Sequence, residues 1–303
     1  MNSPPEPRFT GRDVPTGQAQ LLATIQNTSA KIAEGIDKSF QAIWDPRAKQ
    51  AHDLRRVRWI TEEIAASIGV PAEWTAHART AGDRGVRWRV SQRLPAPGPI
   101  DRDRLVDGLT DQARRLQAMA AVSAGYTHRF GEPSPAELAR VQHRMTMQWE
   151  RVGAVAHALD VTATERDRMW PTDTANWHRI VATVRAQGAM TLAATWHQMA
   201  APANPQIVRL PVTALRLAQI DVRTVAPENL PPPPEQLLAL AEAATQALER
   251  TGADHHGAAI EAAIEASATD LPTLIDAMDA ANTESACDEL TIPTPVAGDG
   301  IEL

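Results

Sequence analysis

Apolar residues in this chain recur at intervals of three and four, and runs that alternate at every second position are nearly absent. The first spacing lines up one face of an α-helix, whereas a half-buried strand needs the second. Composition agrees, because alanine, the strongest helix former, is abundant, while the 303 residues include only one Tyr and three Phe. The sequence therefore predicts an all-α protein, whose length favours two compact units over one.

The N-terminal part predicts a disordered start followed by one long helix. Residues 1–15 are polar and rich in proline, which is typical of disorder. Residues 16–45 then carry a three-four seam that ends at Pro46. The seam consists of Leu22, Ile25, Ser29, Ile32, Ile36, Ser39 and Ile43. Such a helix either lies on its own domain or self-associates through residues 16–44 as a short coiled coil, and the sequence leaves both arrangements open.

Residues 46–94 predict a small three-helix unit. In the second helix, Thr61 stands at the start and Gly69 at the end, and Pro71 suits the first turn of the third helix because its missing N–H costs nothing there. The expected helices span residues 47–59, 61–68 and 72–81.

Residues 62–81 resemble the helix-turn-helix family of DNA-binding modules. The residues that carry the resemblance stand where that motif places its apolar contacts, its small residue and its turn glycine: Ile64, Ala65, Ile68, Gly69 and Val70. The resemblance implies that residues 72–81 form a recognition helix in the major groove of DNA. Thr75 departs from the family, since a branched apolar residue is usual at that position. The exposed face of the recognition helix would present Ala72, Glu73, Ala76, His77 and Thr80, none of which is the Arg, Lys, Asn or Gln that normally reads base edges.

Arginines before and after this unit are the candidate contacts to DNA phosphates. The candidate nucleic-acid-binding residues are Arg55, Arg56, Arg58, His77, Arg79, Arg84, Arg87, Arg89 and Arg93. The segment GDRGVRWRV predicts a turn at residues 82–85 and then a short strand, which would place Arg87 and Arg89 on one side of a wing-like hairpin. The alternative is an ordinary extended segment whose Trp88 packs on the three helices.

Charge separates the chain into a basic body and an acidic end. Residues 47–115 carry 14 Lys and Arg against 9 Asp and Glu, whereas residues 226–303 carry 1 against 15, and the whole chain has a net charge of −7. An acidic segment of this kind can dock on the basic body, bind a partner, or serve as a free solubilising tail.

Proline sets the remaining predicted boundaries. The stretch LPAPGPID separates the first unit from a helical bundle expected over residues 101–205. Residues 206–234 predict an irregular Pro-rich linker that ends in four consecutive prolines, the clearest domain boundary in the sequence. Beyond it we expect an acidic helical appendage over residues 235–283 and a disordered tail over residues 284–303.

Within the bundle, three helices are expected. They would run from Asp101 to Gly125, from Pro135 to Leu159 and from Thr174 to Met199. The last contains two Trp-His pairs, at residues 177–178 and 196–197, which predict core tryptophans with histidines at the helix surface. In the preceding unit, Trp59, Trp74 and Trp88 are candidate stacking platforms for bases, although their neighbours fit burial better.

The sequence offers no catalytic or metal-binding constellation. It has no Gly-rich phosphate loop, no HExxH motif and only one cysteine. His143, Glu150 and His157 recur on one helical face, but seven residues of helix rise about 10.5 Å, too far for side chains to share one metal. We therefore expect a protein without cofactor or metal that is not an enzyme.

The sequence has no apolar run long enough for a transmembrane helix and no signal-peptide core near its start, so we expect a cytoplasmic protein without membrane contact. The leading hypothesis is a non-enzymatic DNA-binding accessory or regulatory protein that contacts mainly the phosphates of double-stranded DNA. The alternative is a helical scaffold or adaptor that acts through protein partners, using residues 16–44 and 235–283.

Overall fold

The computed structural model describes residues 9–36 and 46–254, and in these ranges the chain is mostly helical, which confirms the all-α class. The helices are α1 (Thr16–Ile36), α2 (Pro46–Ser67), α3 (Ala72–Asp83), α4 (Arg102–Phe130), α5 (Pro135–Ala158), α6 (Ala163–Met169), α7 (Thr174–Ala186), α8 (Ala189–Ala200), α9 (Pro205–Leu217) and α10 (Pro234–Asp254). Two described strands, β1 (Phe9–Thr10) and β2 (Arg93–Leu94), form a short antiparallel ribbon. None of the described helices has the length and apolar character needed to cross a membrane.

The seam of α1 is buried inside the chain. Leu22, Ile25, Ser29 and Ile32 are all buried, and α1 packs on both α2 and α3. Of the two arrangements that the sequence leaves open, the structure shows the helix on its own domain, so this face is not available to a second copy. The remaining polar and apolar seam positions from residue 37 to residue 45 lie outside the described residues.

The start of the chain differs from the predicted disorder in the part that the structure describes. Phe9 pairs with Leu94 in the ribbon, and its ring lies 6.3 Å from the ring of Trp74. The peptide N–H of Gly11 extends the pairing by donating to the carbonyl of Gln92 at 3.0 Å.

α2 is one continuous helix where the sequence predicts two. No Gly or Pro interrupts the chain around Thr61, and the Thr61 hydroxyl donates back to the carbonyl of Val57 at 2.8 Å instead of capping a new helix. Ile60 and Ile64 are buried on the same side of this helix. The prediction of a helix boundary near Thr61 is therefore wrong, because a threonine inside a helix can satisfy its hydroxyl within the preceding turn.

α2 and α3 end with the same backbone arrangement. At the end of α2, Gly69 has φ +79° and the N–H of Val70 donates to the carbonyl of Ala65 at 2.9 Å. At the end of α3, Gly85 has φ +78° and the N–H of Val86 donates to the carbonyl of Ala81 at 3.0 Å. Glycine adopts this left-handed conformation without the strain that a Cβ would add, which explains why both helices stop there.

The helical bundle begins as predicted and then divides differently. Asp101 caps α4, and Ser134 and Glu137 form a capping box at the start of α5. The helix predicted from Thr174 to Met199 is two helices, α7 and α8, separated at Gln187 and Gly188. The short helix α6 was not predicted, although Thr162 and Glu165 supply a capping box for it.

A second group of buried residues lies where α4 packs on α7, α8 and α10. It includes Trp177 and Trp196, whose neighbours His178 and His197 are less buried. The prediction of core tryptophans is confirmed, whereas of the two histidines predicted at the helix surface His197 is exposed and His178 is half-buried. The indole ring of Trp196 stacks on Tyr126 with ring centroids 4.8 Å apart.

The predicted irregular linker from residue 206 to residue 234 contains a helix. Pro205 occupies the first turn of α9, where a proline is tolerated, and Pro211 stands inside the helix. The prolines do not prevent this helix because Val212, Ala214 and Leu215 bury its apolar face in the core. Two 3₁₀ turns, Val222–Thr224 and Pro227–Asn229, complete this part of the chain.

The four consecutive prolines do not separate a domain. Trp149 of α5 donates its indole N–H to the carbonyl of Pro231 at 2.9 Å, so the proline segment lies against α5. α10 then packs on α4 and α7 and buries Leu237, Ala241 and Ala244. All described residues belong to one compact unit, and the predicted appendage is part of it as far as Asp254. The rest of the acidic segment and the predicted tail lie outside the described residues.

Candidate nucleic-acid interface

The segment that follows α3 is held against α1 by side-chain amides. Gln26 is fully buried, and its Nε2 donates to the carbonyl of Val86 at 3.1 Å and to Oε1 of Gln92 at 2.9 Å. Gln92 Nε2 donates back to Oε1 of Gln26 at 2.9 Å. Asn27 accepts the peptide N–H of Trp88 at 3.0 Å. These bonds fix the segment from residue 86 to residue 92 at both ends and in the middle, and we call it the anchored segment.

These contacts explain why residues 86–90 are not the strand of a wing-like hairpin. A strand needs a neighbouring strand for its peptide groups, and here the partners are side chains of α1. The expected apolar face is also missing, because Val86 and Val90 are 49% and 57% exposed while Trp88 alone packs on the core. Of the two structures considered from the sequence, the extended segment anchored by Trp88 is the one observed.

The predicted turn at residues 82–85 begins too early, because Gly82 belongs to α3 and lies where α3 crosses α1. A Cβ at this position would come within 2.3 Å of the carbonyl oxygen of Gln26 and 2.5 Å of Ser29 Cβ. The absence of a side chain at Gly82 therefore lets the two helices approach closely enough for Gln26 to reach the segment after α3.

Arg58 forms the centre of an ion-pair group where the three helices meet. Its guanidinium donates to Asp83 at 3.1 Å and to the Ser29 hydroxyl at 3.2 Å, and it lies 3.9 Å from Glu62. Arg79 contacts the other oxygen of Glu62 at 3.5 Å. Burial raises the pKa of Glu62, while the positive charges of Arg79 and Arg58 act in the opposite direction. Arg58 and Arg79 thus already have carboxylate partners in the folded chain.

Arg87 is paired in a different way. It contacts Glu34 of α1 at 2.8 Å, and about half of each side chain is exposed. An ion pair this accessible to water contributes little to stability and exchanges readily with another anion. Arg87 can therefore leave Glu34 for a phosphate at small cost.

The other candidate arginines have no ion pair to any residue in the described ranges. Arg55, Arg84, Arg89 and Arg93 are exposed, and Arg56 is half-buried. Arg84 follows Asp83, the partner of Arg58. Arg89 lies in the anchored segment, and Arg93 follows it directly. Arg84, Arg87, Arg89 and Arg93 thus lie just after α3 or along the anchored segment, and Arg55 and Arg56 lie on α2 in the turn before Arg58, which contacts Asp83 at the end of α3. We call this group, consisting of Arg55, Arg56, Arg84, Arg87, Arg89 and Arg93, the arginine surface.

The exposed face of α3 is poor in hydrogen-bond donors. Ala72, Glu73, Ala76 and Thr80 are exposed, and His77 is half-buried. Glu73 accepts the peptide N–H of Gly98 at 3.0 Å, and hydrogen bonds from its own peptide N–H and from Gly98 lower its pKa. Apart from Arg79, which contacts Glu62, this face presents no side chain of the kind that normally reads base edges.

The side-chain amides at this site were missed by reasoning from the sequence. The amides of Gln26 and Gln92 were not singled out, because a glutamine beside an apolar seam gives no indication of its partner 66 residues away. For Trp59 the sequence left open a stacking platform for a base and favoured burial, and in the structure the residue is 50% exposed. The sequence does contain a signal for this exposure. When α2 is treated as one continuous helix, Trp59 lies on a different face from the buried residues Ile60 and Ile64.

No metal site was found in the part of the chain that the structure describes, and no similar protein was found. Among the described residues, no three His, Cys, Asp or Glu side chains come together in a way that could hold a metal ion. Comparison with protein-family models, with curated proteins and with solved structures found no match to this chain.

Proposed function

We propose that this chain is a non-enzymatic DNA-binding accessory or regulatory protein that contacts the phosphates of double-stranded DNA through the arginine surface. The observation that carries the proposal is the set of exposed guanidinium groups on a segment that is anchored to α1 by Gln26 and Asn27. Anchoring lowers the conformational entropy that a loop would lose on binding, so the arginines are positioned before the ligand arrives.

Phosphate contacts, and not base contacts, are the expected source of affinity. Arginine presents paired donors that match phosphate oxygens, and each phosphate that is neutralised releases counterions from DNA. The exposed face of α3 has no comparable set of donors, so the proposed protein would distinguish sequences weakly. The proposal does not depend on the helix-turn-helix resemblance of residues 62–81, which would add only that α3 faces the major groove of the DNA.

A salt series of duplex binding tests the proposal. The variant with Arg84, Arg87 and Arg89 all changed to Ala should bind more weakly, and the slope of log affinity against log salt should fall by about 2 to 3 because three phosphate contacts are lost. The matched control changes Arg115, Arg129 and Arg185 to Ala, which removes the same charge from exposed positions on α4 and α7. Absence of duplex binding by the wild-type chain at low ionic strength would exclude the proposal, and equal losses in the two variants would exclude the arginine surface.

The scaffold or adaptor alternative would use residues 16–44 and 235–283, of which residues 37–44 and 255–283 lie outside the described residues. The seam of α1 is buried by α2 and α3, and the apolar face of α10 is buried by α4 and α7. Deleting residues 16–44 would therefore remove part of the core, and a change in partner capture after that deletion would not indicate a binding surface.

A further inference from the structure

Trp59 is the most exposed tryptophan among the residues whose burial the structure describes. Half of its surface is accessible, whereas Trp74, Trp170, Trp177 and Trp196 are buried. The core side of α2 is formed by Ile60 and Ile64, and Trp59 lies about 140° around the helix from Ile64. The indole is therefore turned away from the main apolar seam of α2, and a large aromatic surface remains open to solvent.

Two arginines lie on the same side of α2 as this indole, towards the N-terminus of the helix. Arg55 stands one helical turn before Trp59, and Arg56 flanks the same exposed face at about 100° per residue. Arg55 and Arg56 have no ion pair to any described residue, so their donors are free to bind a ligand. An exposed ring beside free guanidinium groups is the combination that binds a base together with its phosphate.

The carboxylates on the C-terminal side of Trp59 are neutralised by other arginines. Glu62 lies between Arg79 and Arg58, as described above, and Glu63 accepts a hydrogen bond from Arg151 of α5. These pairings reduce the repulsion that an anionic ligand on the indole would otherwise meet. The local charge around Trp59 therefore suits an anion.

One ion pair links the neighbourhood of Trp59 in α2 to the arginines after α3. Arg58, the residue before Trp59, contacts Asp83, and Arg84 follows Asp83 in the chain. A strand of nucleic acid on the arginine surface can thus continue past Arg84 towards Trp59.

We propose that Trp59, together with Arg55 and Arg56, forms a stacking site for an unpaired base, so that the ligand includes a single-stranded segment of nucleic acid. This inference rests on the proposed function and specifies its substrate. The bases of an intact duplex are stacked on each other and do not offer a face to a tryptophan in the middle of a straight helix, whereas unpaired bases do. The arginines bind phosphates in both kinds of ligand, and the indole contributes only with unpaired bases.

The test compares a thymidine homopolymer single strand with a blunt-ended duplex of mixed sequence. Trp59→Ala should weaken single-strand binding by about fivefold or more and leave duplex binding within about twofold of wild type, because stacking is lost and charge is not. Trp59→Phe should retain most of the single-strand affinity, since phenylalanine also stacks. Met190→Ala is the matched control, because Met190 is 84% exposed on α8, and its loss should change neither affinity.

The outcomes separate this inference from the proposed function. If the wild-type chain binds the duplex while Trp59→Ala binds the single strand as tightly as wild type, the stacking site is excluded and the arginine surface stands. An equal loss of both affinities in Trp59→Ala would also exclude it. If the wild-type chain does not bind the duplex at low salt, the proposed function itself fails, and if it does not bind the single strand, the stacking site is excluded. Thermal unfolding of each variant identifies a loss of affinity that comes from misfolding. If Trp59→Ala misfolds, the single-strand affinity of Trp59→Phe decides whether an aromatic ring at this position binds the ligand.

Discussion

Gly82 of α3 lies so close to Ser29 of α1 that a Cβ on the glycine would come within 2.5 Å of the serine Cβ. This contact sets the separation between the two helices and, with it, the position of Gln26 relative to the segment after α3. Small residues at a helix crossing allow such an approach, and the requirement is purely steric.

Changing Gly82 to Ala should therefore destabilise the protein although alanine favours helix. The clash with Ser29 and with the carbonyl of Gln26 should cost about 1 to 3 kcal/mol, which exceeds the gain in helix propensity. Urea unfolding measures the difference. Gly108→Ala on α4 is the control, since its Cβ would meet nothing within 4 Å and should stabilise the chain by about 0.5 to 1 kcal/mol. Equal effects of the two substitutions would contradict the steric account.

Changing Gln92 to Ala should release the anchored segment without removing a charge. Gln26 would keep its bond to Val86 but lose both bonds to the Gln92 side chain, which should cost about 1 to 3 kcal/mol. Hydrogen exchange at the peptide N–H of Trp88 should become faster, because its acceptor Asn27 would no longer be held beside a fixed loop. Under the proposed function, duplex affinity should fall as well. Unchanged exchange at Trp88 would show that Asn27 and the Trp88 ring hold the segment by themselves.

Glu165 should make stability depend on pH in the acidic range. Hydrogen bonds from Arg102 and from Thr162 lower its pKa from 4.5 to about 2. Because the pKa is lower in the folded chain than in the unfolded chain, the contribution to stability is present above pH 4.5 and is lost as the pH falls towards 2. Glu165→Gln should lower stability at pH 7 by about 1 kcal/mol or less, since the pair is largely exposed. The difference between variant and wild type should disappear near pH 2, and a difference that persists there would indicate that the carboxylate charge is not the cause.

Truncation distinguishes a packed α10 from a separate appendage. A chain that ends at Asp254 keeps every described helix and is the reference for the comparison. A chain that ends at Leu230 should unfold at a much lower denaturant concentration, because it exposes the part of α4 and α7 that Leu237, Ala241 and Ala244 cover. Equal midpoints for the two truncations would mean that α10 contributes nothing to the core.

The helix positions were predictable where local signals agree. The capping residues Asp101 and Ser134 and the glycines Gly69 and Gly85 stand at helix ends in the structure, because capping and left-handed φ angles depend only on neighbouring residues. The class of the fold and the buried tryptophans of the bundle follow from periodicity for the same reason.

The errors come from positions where tertiary packing outweighs a local signal. Considered alone, Thr61 favours a helix start and Pro211 favours a helix end. Both nevertheless lie inside helices, because neighbouring residues on one face of each helix are buried in the core. Pro231 is typical of a spacer, yet its carbonyl is bound by Trp149 from α5, 82 residues away along the chain. No pattern within a short window contains that information.

The residues of the candidate site could be predicted from the sequence, but their arrangement and pairing in the folded chain could not. The sequence identifies the arginines, but it does not separate Arg58 and Arg79, which are bound to carboxylates, from Arg55 and Arg84, which have no carboxylate partner in the described ranges. That separation depends on how α3 crosses α1, which is decided at Gly82.

The ribbon of β1 and β2 has a practical consequence for any binding experiment. It holds Thr10 directly opposite Arg93, so the chain enters the ribbon beside one arginine of the arginine surface. An acidic tag attached on the N-terminal side of the ribbon would compete with an anionic ligand for this arginine, and a polyhistidine tag would add charge of its own. Affinity measurements on this protein should therefore use untagged material, with the cleaved and uncleaved forms compared as a control.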